Sequence, residues 1–121
     1  MTIKRISNEA FEKIITGKFK DNTSCVIKFY SNSCPLCHGL RQEYHTIAES
    51  FDDLFFYAFN VDEYPHVERM VPIKGVPSIA FVKGPPQFSV NLLEDPPAEK
   101  AHEDMWYHPE QIIKFIKENI K

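Results

Sequence analysis

The sequence predicts an α/β fold, a central mixed β-sheet of four to five strands flanked by helices on both faces. Three observations carry this expectation. Cys25-Val26-Ile27-Lys28-Phe29-Tyr30, the amphipathic stretch 35–51 and the apolar run 54–61 follow one another as strand, helix and strand. Such a crossover makes adjacent parallel strands with a right-handed connection. Two further β-rich runs, 76–82 and 87–93, are split by Lys83-Gly84-Pro85-Pro86, a hairpin signal that makes them antiparallel. Last, Ile112, Ile113, Ile116 and Ile120 form a helical stripe after Pro109, whose fixed φ and missing N–H suit the first turn of a helix.

Each element has its own local signal. Residues 2–6 are short and read as a strand. Ser7 or Asn8 is positioned to cap a helix with the stripe Ala10, Phe11, Ile14 and Ile15, and Gly17 stops it. The run 25–30 is β-branched, aromatic and nearly continuous, as expected of a central strand covered on both faces; Lys28 alone interrupts it. In 35–51 the positions Leu40, Tyr44, Ile47, Ala48 and Phe51 recur every third or fourth residue. Residues 62–70, beginning around Tyr64-Pro65, read as a short helix or turn. Between the hairpin and the last helix, 94–108 is acidic, contains Pro96-Pro97 and lacks periodicity, so it reads as an exposed loop whose Trp106 packs it against the body.

A chain of 121 residues with 43% hydrophobic, 13% aromatic and 26% charged residues matches one folded domain, 1–121, with a real core. Fourteen basic against seventeen acidic residues give a net charge of -3 with no concentrated basic block, which argues against nucleic acid as partner. The longest apolar run, 54–59, falls far short of the about 20 residues that cross a bilayer, so no membrane span is expected. Met1-Thr2-Ile3-Lys4-Arg5-Ile6 leads into polar residues rather than a secretory apolar stretch, and the expected compartment is the reducing cytoplasm. Three cysteines are too few for a disulfide scaffold, so the close pair among them points to chemistry or metal binding.

That pair is Cys34 and Cys37, in Ser33-Cys34-Pro35-Leu36-Cys37. It falls where the central strand passes into the long helix, with Cys34 at the cap and Cys37 one turn in. Unpaired N–H groups and the positive end of the helix dipole favour a thiolate there. Pro35 fixes the first turn and brings the sulfurs together. Spacing alone leaves three readings open: a redox pair, a metal site or structural thiols. A zinc site would draw on Cys34, Cys37, His38 and His45, with no second cysteine pair to complete it. His38, beside Cys37, is a candidate for added thiolate stabilisation, while His45, His66, His102 and His108 read as surface residues. Cys25 reads as a small buried hydrophobe.

With Lys28-Phe29-Tyr30 leading into Cys34-Pro35-Leu36-Cys37, and with Asn60-Val61-Asp62-Glu63-Tyr64-Pro65 and Ile73-Lys74-Gly75-Val76-Pro77-Ser78 following in order, the chain resembles the thioredoxin family. The resemblance covers most of the chain and implies the thioredoxin fold. It also implies a cis Val76-Pro77 peptide in a loop facing the cysteines, where Val76 and Pro77 would meet the substrate backbone as an added strand does. The chain departs from the family in carrying Ser33 instead of tryptophan before the first cysteine, and Pro35-Leu36 instead of Gly-Pro between the two. Cys-Pro-x-Cys is also the glutaredoxin arrangement, but no glutathione-binding signature accompanies it. The larger departure is Lys28, which stands where thioredoxins place a buried acid. Near Cys37 its ammonium would stabilise thiolate and make the pair more oxidising; pointing to water, it would do nothing chemical.

The expected function is thiol-disulfide exchange with protein disulfide or dithiol substrates, Cys34 attacking and Cys37 resolving, tuned by Lys28, Pro35, Leu36 and His38. No cofactor or metal is expected; a reductase or thiol donor would recycle a monomeric protein. The alternative is a binding module on the same fold, using the hairpin and the 94–108 loop, with non-catalytic or metal-binding cysteines.

Overall fold

The computed structural model of the protein describes residues 3–18, 24–64, 66–84 and 88–120. Its elements are β1 (Lys4–Arg5), α1 (Asn8–Ile15), β2 (Cys25–Tyr30), α2 (Pro35–Glu49), β3 (Phe55–Asn60), β4 (Ser78–Lys83), β5 (Ser89–Leu92) and α3 (Pro109–Ile120). The strands form one mixed sheet in the order β1-β3-β2-β4-β5. β1 and β2 run parallel to β3, while β4 runs antiparallel to β2 and β5 antiparallel to β4. Thr2 of the predicted first strand, Pro65, and residues 85–87 of the predicted hairpin lie outside the described residues.

Period-two alternation along the strands sorts side chains to the two faces. Val26, Ile79 and Phe81 join Leu40, Tyr44 and Ile47 of α2 and Ile112 and Ile116 of α3 in one core. Ile27, Phe29, Phe59 and Ala80 join Phe11 of α1 in the other, where Phe11 stacks on Phe59 at 4.3 Å. Ser7 caps α1 by accepting the Ala10 N–H at 3.1 Å, and Gly17, at φ +73°, takes the left-handed conformation that ends it.

One expectation is refined and one corrected. The short helix or turn expected over 62–70 takes the form of two 3-10 turns, Val61–Glu63 and Val67–Arg69. Tyr64 between them sits at φ -143° and ψ 83°, outside the α region that a following proline disfavours. The 94–108 segment is not simply an exposed loop. Tyr107 is wholly buried, Pro96 is buried, and Met105 and Trp106 pack against the α2–α3 core. A 3-10 turn, Ala98–Lys100, and a two-way backbone bridge between His102 and Trp106 give it regular structure. Trp106 Nε1 and the Tyr107 hydroxyl both donate to Asp95 Oδ1, at 3.3 and 3.2 Å. Three adjacent apolar residues carry no period, so only the tertiary fold decides which of them turn inward.

Candidate active site

The C-terminal ends of β2 and β3 lie side by side, because the parallel register sets Tyr30 opposite Asn60. The segments leaving these strands therefore meet. Asp62 accepts the Ser31 hydroxyl at 2.9 Å and the Asn32 backbone N–H at 2.9 Å. Asn60 Nδ2 donates to Asn32 Oδ1 at 3.2 Å, and Asn60 Oδ1 accepts the Asp62 N–H at 2.9 Å. This network fixes the turn 31–33 that delivers the chain into α2. Sequence reasoning assigned no role to Ser31, Asn60 or Asp62. The signal available was the predicted pairing of the two strands, since loops at the carboxyl ends of neighbouring parallel strands share one edge.

At the end of that turn Cys34 is the N-cap of α2, Pro35 occupies the first helical position, and Leu36 is half-buried in the first turn. Cys34 and Cys37 are joined in a disulfide with Cα atoms 5.2 Å apart. The Cys37 backbone N–H points at Cys34 Sγ from 3.0 Å, one of the helix-start donors that has no backbone partner. Cys34 is 9% exposed against 4% for Cys37, so the first cysteine is the more accessible.

Opposite the pair, the carbonyl of Val76 lies 3.7 Å from Cys34 Sγ. The Val76-Pro77 peptide is cis, Val76 is half-buried and Pro77 buried. Ser78 Oγ donates to the Gly75 carbonyl at 2.5 Å and closes the loop. Because β4 begins only at Ser78, the backbone of Val76 lies outside the sheet ladder. The structure thus brings Cys34, Cys37 and Val76 together from segments forty residues apart in the chain.

Lys28 does not reach out to water: it is 6% exposed on the α2 side of the sheet. Its Nζ sits 5.1 Å from the Tyr44 ring centroid and 5.7 Å from that of Tyr30, distances at which aromatic faces attract a cation. Burial, with the nearby Arg41 guanidinium adding to it, pulls the Lys28 pKa down to about 8. Lys28, Cys37 and His38 line one cleft between α2 and the sheet. His38 is exposed, with Nε2 3.0 Å from the Asn32 carbonyl oxygen. His45 lines the same cleft, with Nε2 3.0 Å from Glu49 Oε1. Among the described residues no three His, Cys, Asp or Glu side chains are grouped to share a metal ion. Cys25 is a free thiol buried in the α1-side core, and burial pushes its pKa up to about 12.

Sheet order and cysteine position together place the chain in the class of thioredoxin-fold proteins that carry a dithiol-disulfide pair. It belongs to the thioredoxin family, whose model, described as Thioredoxin, matches residues 2–95. Thioredoxin H2 of Arabidopsis thaliana is 28% identical over 82 residues, which are 67% of this chain and 62% of that protein. Thioredoxin-2 of Saccharomyces cerevisiae is 29% identical over 59 residues, 49% of this chain and 57% of that protein. The matched stretch thus spans about three fifths of the length of either relative. The crystal structure of chloroplastic thioredoxin z superposes with a TM-score of 0.70 at 22% identity, over 98% of this chain and 94% of that one. The predicted fold and family resemblance are both borne out.

Proposed function

We propose that this protein is a thiol-disulfide oxidoreductase that exchanges disulfides with protein substrates through Cys34 and Cys37. The observation that carries the reading is the Cys34–Cys37 disulfide at the start of α2, with the Val76 carbonyl 3.7 Å from Cys34 Sγ. In the reducing direction the Cys34 thiolate attacks one sulfur of a substrate disulfide. A mixed disulfide forms and the other substrate sulfur leaves as thiolate. Cys37, having lost its proton, attacks Cys34 Sγ, closes the intramolecular disulfide and releases the second substrate thiol. Two electrons and two protons pass from the chain to the substrate, and the reverse sequence oxidises a dithiol.

Local groups support each role. The Cys37 N–H faces Cys34 Sγ and favours the attacking thiolate, as does the helix start that Pro35 shapes. Leu36 spaces the two cysteines in the first turn. The Val76 backbone, outside the sheet, is placed to pair with an extended substrate segment across Pro77. Lys28 in the cleft with Cys37 favours the reduced, thiolate form and makes the couple more oxidising, and a protonated His38 adds in the same sense. The sulfurs carry the electrons, so no organic cofactor enters, and a reductase or thiol donor returns two electrons after each reducing turnover. We further read residues 1–121 as one domain working as a cytoplasmic monomer; for the single domain, support comes from α3, which shares a core with α2 and the sheet.

A redox titration in defined thiol-disulfide buffers, with free thiols counted by alkylation and mass spectrometry, tests the reading. A reversible two-electron transition in the wild type that is absent in Cys34→Ser is the expected result. Its absence in the wild type overturns the proposal.

A further inference from the structure

The register of the sheet sets Arg5 of β1 and Lys28 of β2 on either side of Ala58 of β3, in one row facing α2. The small side chain of Ala58 leaves the middle of that row open. Above it lies a cleft of about 840 Å³, closed on its other side by Cys37, His38, Arg41 and His45 of α2. The spacing 38, 41, 45 is that of one helix face, so the sequence aims three basic side chains at the same space that receives Arg5 and Lys28 from below.

The charge of this cleft is one-sided. Among the described residues no aspartate or glutamate lines it. Among the described residues the carboxylates near this region contact only its outer members, Glu63 with Arg5 at 3.2 Å and Glu49 with His45 at 3.0 Å. Lys28 and Arg41 have no such partner among the described residues. Yet Lys28 is only 6% exposed, and the guanidinium of Arg41 disfavours its charge. Two unneutralised cations facing one cavity, one of them buried, create a potential that a bound anion relieves. A guanidinium also offers paired donors matched to carboxylate or phosphate oxygens.

We propose that this cleft binds a small molecule bearing at least two oxyanion groups, carboxylate or phosphate, held between Lys28 and Arg41 and bounded by Arg5 and His38. The site lies behind Cys37 and uses none of the substrate contacts at Val76, but it shares Lys28 and His38 with the groups proposed to tune the couple. Its test therefore reads binding and not disulfide exchange.

Amide NMR spectra of the full-length chain are titrated with sodium pyrophosphate and, separately, with citrate, with ionic strength held constant by sodium chloride. Saturable shifts at the amides of Lys28, His38 and Arg41, with a midpoint near or below about 1 mM, are expected for at least one probe. Saturation by pyrophosphate alone identifies a phosphate site, by citrate alone a carboxylate site, and by both the shared oxyanion chemistry. Arg41→Gln, at an exposed position, and Lys28→Met should each weaken the midpoint at least tenfold. Shifts that do not saturate with either probe, or a midpoint unmoved in Arg41→Gln, overturn the proposal.

Discussion

The backbone carbonyl of Asp104 occupies the space that a side chain on Gly39 would need. Gly39 lies inside α2, where glycine is an unfavourable helix residue by about 1 kcal/mol relative to alanine. Its presence is explained by the close approach of the 94–108 segment, which brings Met105, Trp106 and Tyr107 onto the core. Gly39→Ala should therefore destabilise despite its better helix propensity, by about 1–3 kcal/mol as for overpacking elsewhere. Chemical denaturation measures this, and a variant more stable than wild type would show that the contact is dispensable.

Asp62 is expected to hold the turn before Cys34. Asp62→Ala removes the acceptor of the Ser31 hydroxyl and the Asn32 N–H, at a cost of about 1–3 kcal/mol for hydrogen bonds to a charged group. Amide exchange at Asn32 should accelerate in the variant, and disulfide exchange at Cys34 should slow. Unchanged exchange at Asn32 would mean that the turn holds itself.

Lys28 gives stability a pH dependence whose sign is fixed. Its folded pKa of about 8 lies below the ordinary 10.5, so between these values the unfolded chain binds more protons. Stability contributed at this site rises with pH across that window, and the cost of burying the cation is present in full below it. Cys25, raised from 9.0 to about 12, acts in the opposite sense, with stability lost as pH climbs from 9 toward 12. The difference between wild type and Lys28→Met cancels the Cys25 contribution. That difference should favour the variant at pH 7 by up to about 3 kcal/mol and fade as pH approaches 10.5. In the same variant the midpoint potential should become more reducing at pH 7. A flat stability difference, or an unmoved potential, removes Lys28 from the account of both.

Cys37→Ser should capture substrate. With the resolving thiol gone, the mixed disulfide on Cys34 has no intramolecular exit, and mass spectrometry should find substrate attached at Cys34 and released by dithiothreitol. Substrate trapped equally well by Cys34→Ser would reverse the assignment of the two cysteines.

Much of the molecule was legible from local pattern. Continuous β-rich runs placed β2, β3 and β4 and period-3.6 stripes placed α2 and α3, because bounded apolar runs and helical stripes are one-dimensional records of which positions are buried. The place of Cys34-Pro35-Leu36-Cys37 between a strand and a helix was legible, since a helix start supplies its N–H donors whatever the rest of the fold does, whereas its reading as a redox pair also drew on the family resemblance of residues 60–65 and 73–78. The tertiary structure alone decided the burial of Tyr107, the seat of Asp104 on Gly39, the hold of Asp62 on the turn 31–33, and the row Arg5-Ala58-Lys28 beneath a basic cleft. Each of these depends on strand register or on an aperiodic segment finding its seat. Contacts between residues distant along the chain leave no repeat in it, and they exist only once the sheet has brought those residues side by side.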